Sequence, residues 1–132
     1  MAVPIDLSLD AHPRSRRRGA LGAIARYLLG GLVHSLTASL FPYGTFVVNV
    51  VGCLCFGLVV GIAESRFVVG PGARAFILIG VLGGFTTFSS FTFESFELVR
   101  SGQMIQAAAN VSGQVVLGFI ALWIGFAAAR AL

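Results

Sequence analysis

Apolar residues along this chain fall into four long runs, separated by short stretches that are polar or carry proline and glycine. A helix needs about 20 mainly apolar residues to cross a hydrocarbon core of about 30 Å. The runs at about 21–40, 44–63, 75–98 and 105–129 meet that length. Arg26 is the only charge in the first run, and the second has none. The connections are Phe41-Pro42-Tyr43, a Glu64-to-Arg74 loop containing Gly70-Pro71-Gly72, and Arg100-Ser101-Gly102. Connections this short make successive helices antiparallel neighbours. The pattern predicts an all-α membrane protein with a polar, basic N-terminal tail over 1–18 and one four-helix transmembrane domain over 19–132.

The third run departs from an ordinary span. It carries Gly80-Val81-Leu82-Gly83-Gly84-Phe85-Thr86-Thr87-Phe88-Ser89-Ser90-Phe91, followed by Glu94. Each glycine inside a helix costs about 1 kcal/mol relative to alanine, and two β-branched threonines follow the pair. This predicts a helix broken mid-membrane. Non-helical backbone at that depth must be buried in protein or line a wet cavity, and its freed carbonyls commonly coordinate a cation. Close helix packing is the other use of such glycines, as the pair Gly57/Gly61 in the second run provides. Spacing alone leaves both readings open.

Composition agrees with a chain that has little aqueous surface. Of its 132 residues 57% are hydrophobic and only 11% charged, against about 25% charged in soluble domains. The net charge is +4, and every basic residue is arginine. Arg14, Arg16, Arg17 and Arg18 sit just ahead of the first run, where a positive flank meets anionic lipid. No basic stripe with interleaved aromatics is present, which argues against nucleic acid as a partner. An even number of spans puts both termini on one side. That side holds Arg14, Arg16, Arg17, Arg18, Arg66, Arg74 and Arg130, with Arg26 close by, while Arg100 alone lies opposite. The positive-inside rule therefore predicts cytoplasmic termini. The first run is as long as a span and three more follow, so it is expected to be retained rather than cleaved as a signal peptide.

The polar residues at membrane depth are neutral: Thr45, Asn49, Thr86, Thr87, Ser89, Ser90, Thr92, Asn110, Ser112 and Gln114. Amides and hydroxyls donate hydrogen bonds, which an anion shedding its water requires. A proton-coupled multidrug exporter of this size needs an acid in its first span, and none lies between Leu21 and Leu40. Glu94 and Glu97 end the third run, in a vestibule or at the interface. Cys53 and Cys55 are two apart, so on a helix they diverge and cannot pair, and His12 and His34 lie far from both. No metal-ligand spacing or nucleophile–base constellation can be assembled, so an enzyme is not expected. A scaffolding subunit would account for the glycines but not for the block around them. Phe85, Phe88 and Phe91 recur every three residues and share a face. A phenylalanine ring edge carries partial positive charge, so this stripe suits an anion pathway as well as simple packing.

The third-run block closely resembles the motif of the Fluc (CrcB) fluoride channels, Gly-Gly-x-Thr-Thr-Phe-Ser-Thr-Phe. Three further stretches resemble the family in order and spacing: Gly22-Ala23-x-x-Arg26-Tyr27, Gly44-Thr45-x-x-x-Asn49-x-x-Gly52, and Asn110 through Gly118 to Gly125. The resemblance covers about residues 20–130. It implies an antiparallel, dual-topology dimer with two parallel fluoride pores and passive export of cytoplasmic fluoride. Phe88 and Phe91 would meet the ion with their ring edges, Asn49 would donate its amide, and Thr45, Ser89, Ser90, Asn110 and Gln114 would line the path. Arg26 and Glu94 would stand at a vestibule, with Arg26 either attracting anions or snorkelling to the interface. Gly83 and Thr86 would give backbone carbonyls to one structural sodium ion shared by both protomers. Ser90 stands where the family has threonine, Gln114 where it has serine, and Asn110 where it often has tyrosine. The arginine bias is a larger departure. An identical copy inserted upside down would oppose it, so a related chain of opposite preference is the expected second protomer.

Overall fold

The computed structural model describes residues 13–66 and 70–132. Among them all regular structure is helical: α1 (Pro13–Leu36), α2 (Tyr43–Arg66), α3 (Pro71–Ala75), a π-helical stretch (Phe76–Leu82), α4 (Gly83–Phe85), α5 (Phe88–Arg100) and α6 (Met104–Ala131). Four stretches, Gly19–Leu36, Tyr43–Ser65, Pro71–Arg100 and Met104–Ala131, are long and apolar enough to cross a membrane. The all-α, four-span architecture read from the hydropathy pattern is therefore present.

Three boundaries differ from the sequence reading, each for a local reason. α1 already covers residues 13–18, part of the stretch read as tail, where arginine is a good helix former. The remainder of that tail, residues 1–12, lies outside the described residues. α1 also stops at Leu36 rather than Leu40. Thr37 Oγ1 donates back to the Val33 carbonyl at 2.8 Å, and Ser39 Oγ accepts from the Phe41 amide at 3.1 Å. Such hydroxyls offer the backbone an alternative to the helix, and Pro42 disfavours helical geometry in the residue before it. The third span begins at Pro71, several residues early, with Gly70 extended ahead of it (φ −59°, ψ 156°). The proline that marked a loop is instead the helix start.

Glycines set how closely the spans approach. α2 and α6 make the most extensive contact in the molecule. A Cβ on Gly57 would run into the Leu122 carbonyl oxygen, one on Gly125 into the Leu54 carbonyl oxygen, and one on Gly61 would lie 2.6 Å from the Ala129 Cβ. Without a hydrophobic drive between helices in lipid, such backbone-to-backbone packing holds spans together. α1 lies on the third span in the same way: Gly22 fits against Val81 and Phe85, and a Cβ on Gly84 would be 2.7 Å from the Gly19 carbonyl oxygen. The packing role of the glycine block is thus present at Gly84.

Candidate functional site

The third span loses helical geometry at two residues. Thr86 (φ −78°, ψ 154°) and Thr87 (φ −145°, ψ 114°) are extended, while Gly83 and Gly84 remain helical in α4. The β-branched pair, not the glycines, adopts the strand-like conformation it favours. Thr87 caps α5: its Oγ1 accepts from the Ser90 amide at 3.2 Å, meeting one of the orphan donors at a helix start. Asn49 on α2 holds the joint from the side. Its Oδ1 accepts from the Thr87 amide at 2.9 Å, and its Nδ2 donates to the Thr87 carbonyl at 3.2 Å. One side chain thereby satisfies both backbone groups of a buried residue outside the helix.

This arrangement has a consequence for two carbonyls. In an unbroken helix the Thr87 amide would serve the Gly83 carbonyl and the Ser90 amide would serve that of Thr86. Here the first goes to Asn49 and the second to Thr87 Oγ1. Gly83 is exposed, and a Cβ on it would meet only the Leu78 carbonyl oxygen, at 3.7 Å. The donor set suits a hard cation, which takes oxygen ligands.

Asn49 also begins a chain of side-chain hydrogen bonds through the interior. Its Nδ2 donates to Gln114 Oε1 at 2.8 Å, Gln114 Nε2 donates to Asn110 Oδ1 at 2.9 Å, and Asn110 Nδ2 donates to Ser95 Oγ at 2.9 Å. Ser95 Oγ then donates to the Phe91 carbonyl at 2.7 Å. Asn110 is 0% and Gln114 8% exposed, so buried amides that would be costly alone are satisfied by each other.

Two cavities flank the joint. One, of ≈ 390 Å³, is lined by Asn49, Phe88, Phe91 and Gln114 together with Thr86 and Thr87. Its lining carries no arginine, lysine or carboxylate. The Phe88 and Phe91 rings stand 5.6 Å apart, tilted by 49°, and Phe88 is 78% exposed at the rim. The other cavity, of ≈ 550 Å³, gathers Arg26, Thr45, Ser90 and Glu94. Thr45 Oγ1 donates to Glu94 Oε1 at 2.7 Å, while Glu94 Oε2 is buried without a partner. Thr87 lines both cavities and stands between them. Of the residues expected to line a path, Ser89 is exposed at the head of α5 and Asn110 lies behind Gln114; neither lines these cavities. Sequence reasoning gave no role to Ser95, which ties Asn110 to the Phe91 turn, or to Tyr27 and His34, which line the larger cavity. Tyr27 and His34 lie seven residues apart on α1, the spacing of one helix face, and that was the available signal.

Comparison with known proteins agrees over nearly the whole described chain. A family model described as CrcB-like protein, Camphor Resistance (CrcB), matches residues 17–126. The chain is 49% identical over 112 residues to a protein of Nitratidesulfovibrio vulgaris named fluoride-specific ion channel FluC, covering 85% of this chain and 90% of that relative. Proteins of the same name from Maridesulfovibrio salexigens and Geotalea uraniireducens are 47% and 44% identical. The first aligns over 85% of this chain and 89% of its own length, the second over 86% and 92%.

Proposed function

Because the chain belongs to the CrcB-like family, and its relatives are named fluoride-specific ion channels, we propose that this multi-pass membrane protein is a fluoride channel. It lets cytoplasmic fluoride leave passively, driven outward by the membrane potential, and so protects the cell from fluoride. The observation that carries this reading is the smaller cavity. Uncharged donors and two phenylalanine rings share one lining, next to a second cavity that contains Arg26. Fluoride holds its water tightly, so conduction needs donors that replace the shell in stages yet let the ion leave. Ring edges of Phe88 and Phe91 supply weak positive potential without a trapping charge. Arg26 attracts the anion into the larger cavity, where Ser90 offers a hydroxyl, and Glu94, held by Thr45, keeps the anion from binding too firmly. Ser89 and Asn110 support this lining from outside it.

The channel is an antiparallel dimer with two pores, the second protomer being an identical copy or a related chain in opposite orientation. Gly83 and Thr86, whose carbonyls have lost their helical amides, would hold one structural sodium ion at the dimer centre. Such an ion would brace the two joints against each other and offset the negative end of the helical run that closes at Phe85.

Reconstituted liposomes loaded with fluoride and followed with an ion-selective electrode test the reading. Release of fluoride and not of chloride is expected. Phe88→Ile should slow that release sharply while leaving the assembled species on a sizing column. Equal release of both anions, or undiminished flux in the variant, contradicts the pore assignment.

A further inference from the structure

The larger cavity is a groove along one face of α1. Arg26, Tyr27, Gly30 and His34 line it, and steps of three, four and seven residues return to the same side of a helix. The depth of each group follows from glycine contacts. Gly22 and Gly52 both rest on Phe85, and a Cβ on Gly44 would lie 2.8 Å from the Gly30 carbonyl oxygen. These two levels are equally far apart on α1 and α2, so the two helices run antiparallel in step. Arg26 is then level with Val48, beside the joint that Asn49 holds. His34 is level with residue 40, beyond the start of α2 at Tyr43. Thr45 lies between those levels and donates to Glu94. From the mouth inward the order is therefore His34, Glu94, Arg26, with His34 about 12 Å along the axis from Arg26.

The charges in this groove cancel at neutral pH. Among its described lining residues Arg26 is positive, Glu94 is negative and Tyr27 is neutral. Nearby groups do not change the balance: Glu97 and Arg100 at the end of α5 pair with each other at 2.7 Å. Tyr43 opens α2 without charge, and the one charged residue of α6, Arg130, lies at its far end. An anion arriving at the mouth thus meets the Glu94 carboxylate before it reaches Arg26. His34 stands outside that carboxylate and is exposed. Imidazole is the side chain that ordinarily gains its charge between about pH 5 and 8. A proton on His34 makes the groove net positive and puts the new charge where the anion arrives first.

On the fluoride-channel reading above, we infer that His34 is a second cationic station for fluoride, at the mouth of the larger cavity, and that it acts only when protonated. Narrow clefts lined by one sign of charge concentrate ions of the other sign. The sign follows directly. As pH falls His34 gains its proton, fluoride is held better at the mouth, and the concentration that half-saturates flux falls. Arg26 cannot supply this dependence, because it stays charged throughout.

The test uses the full chain in liposomes with the same pH inside and outside and sodium fluoride as probe, protein-free liposomes correcting for leakage of neutral HF. Half-saturation should fall roughly threefold between about pH 8 and 5.5, as expected for a unit charge about 12 Å from the ion in a wet cleft. His34→Asn should remove the dependence on pH, and His34→Arg should hold half-saturation low at every pH. High salt should shrink the parent's change, since exposed charges are screened; a histidine with a merely structural role would give no such salt response. Glu94→Gln should keep the slope with pH, and loss of the slope there would assign the titration to Glu94 and overturn the inference. The parent protein gives a second readout that needs no variant. Because binding effects are reciprocal, adding fluoride should move the NMR titration midpoint of the His34 ring upward. A parent that carries fluoride with no dependence on pH, or His34→Asn with the parent's dependence intact, overturns the inference alone. A parent that carries no fluoride at any pH removes the channel reading and this inference with it.

Discussion

Thr87 needs Asn49 because an extended residue between two helices has neither helix to answer its amide and carbonyl. Asn49 answers both, at 2.9 and 3.2 Å. Replacing it with leucine, similar in size but without polar atoms, strands two buried backbone groups. Each unsatisfied group costs about 1–3 kcal/mol. Asn49→Leu should therefore lower the unfolding free energy in detergent by about 2 to 4 kcal/mol, measured by denaturant or thermal titration; a loss under half of that would mean water takes over the role. Asn49, Gln114 and the two phenylalanines were legible in the sequence because amides and an aromatic stripe at membrane depth are conspicuous. Which groups they bond to was not. Nothing in the order of residues says that the Asn49 protons are already committed, since that depends on how α2, α5 and α6 meet. Ser95 went unnoticed for the same reason: four residues after Phe91 it reads as one more hydroxyl bonding back along its own helix, and only α6 brings Asn110 to it.

At the scale of helices, the glycines serve close packing, one of the two uses that the sequence left open. Gly57, Gly61 and Gly125 seat α2 against α6, and Gly22 and Gly84 seat α1 against the third span. The loss of helix falls instead on Thr86 and Thr87. The four spans themselves were legible, because length and hydropathy suffice to find them. The π-helical stretch Phe76–Leu82 was not, since no residue pattern in Phe-Ile-Leu-Ile-Gly-Val-Leu marks a widened turn. Helix-to-helix contact makes a direct prediction. A side chain at Gly125 meets the Leu54 backbone, which cannot swing aside as a flexible side chain would. Gly125→Val should destabilise the protein by roughly 3 kcal/mol, the upper range for overpacking. Gly31→Ala, in a helical position with nothing within 4 Å of the added carbon, should be neutral or slightly stabilising. Thermal unfolding of the two variants side by side checks the contrast, and equal melting temperatures would show that α2 and α6 separate without cost.

For the molecule as a whole, the proposed antiparallel dimer would require a chain in each of two opposite orientations. Four spans place the ends of the chain together, and with them Arg14, Arg16, Arg17, Arg18, Arg66, Arg74 and Arg130, against Arg100 at the other face. The positive-inside rule acts on arginines near the ends of spans, and Arg74 belongs to the first turns of the third span while Arg130 closes α6. By that rule a polypeptide with this bias should insert mainly one way, and an antiparallel assembly of identical copies would then starve itself of one partner. A related chain with the reverse bias removes that difficulty, since each then inserts in its preferred sense. Single cysteines at Ser101 and Arg74, in a background with Cys53 and Cys55 replaced by alanine, report the orientation to a membrane-impermeant thiol reagent in intact cells. Labelling at position 101 and protection at position 74 are expected when the chain is expressed alone. Fluoride flux should then rise when a relative of opposite charge bias is expressed with it. Equal labelling at both positions would mean that the arginine asymmetry does not govern insertion, and that this chain builds its channel from two copies of itself.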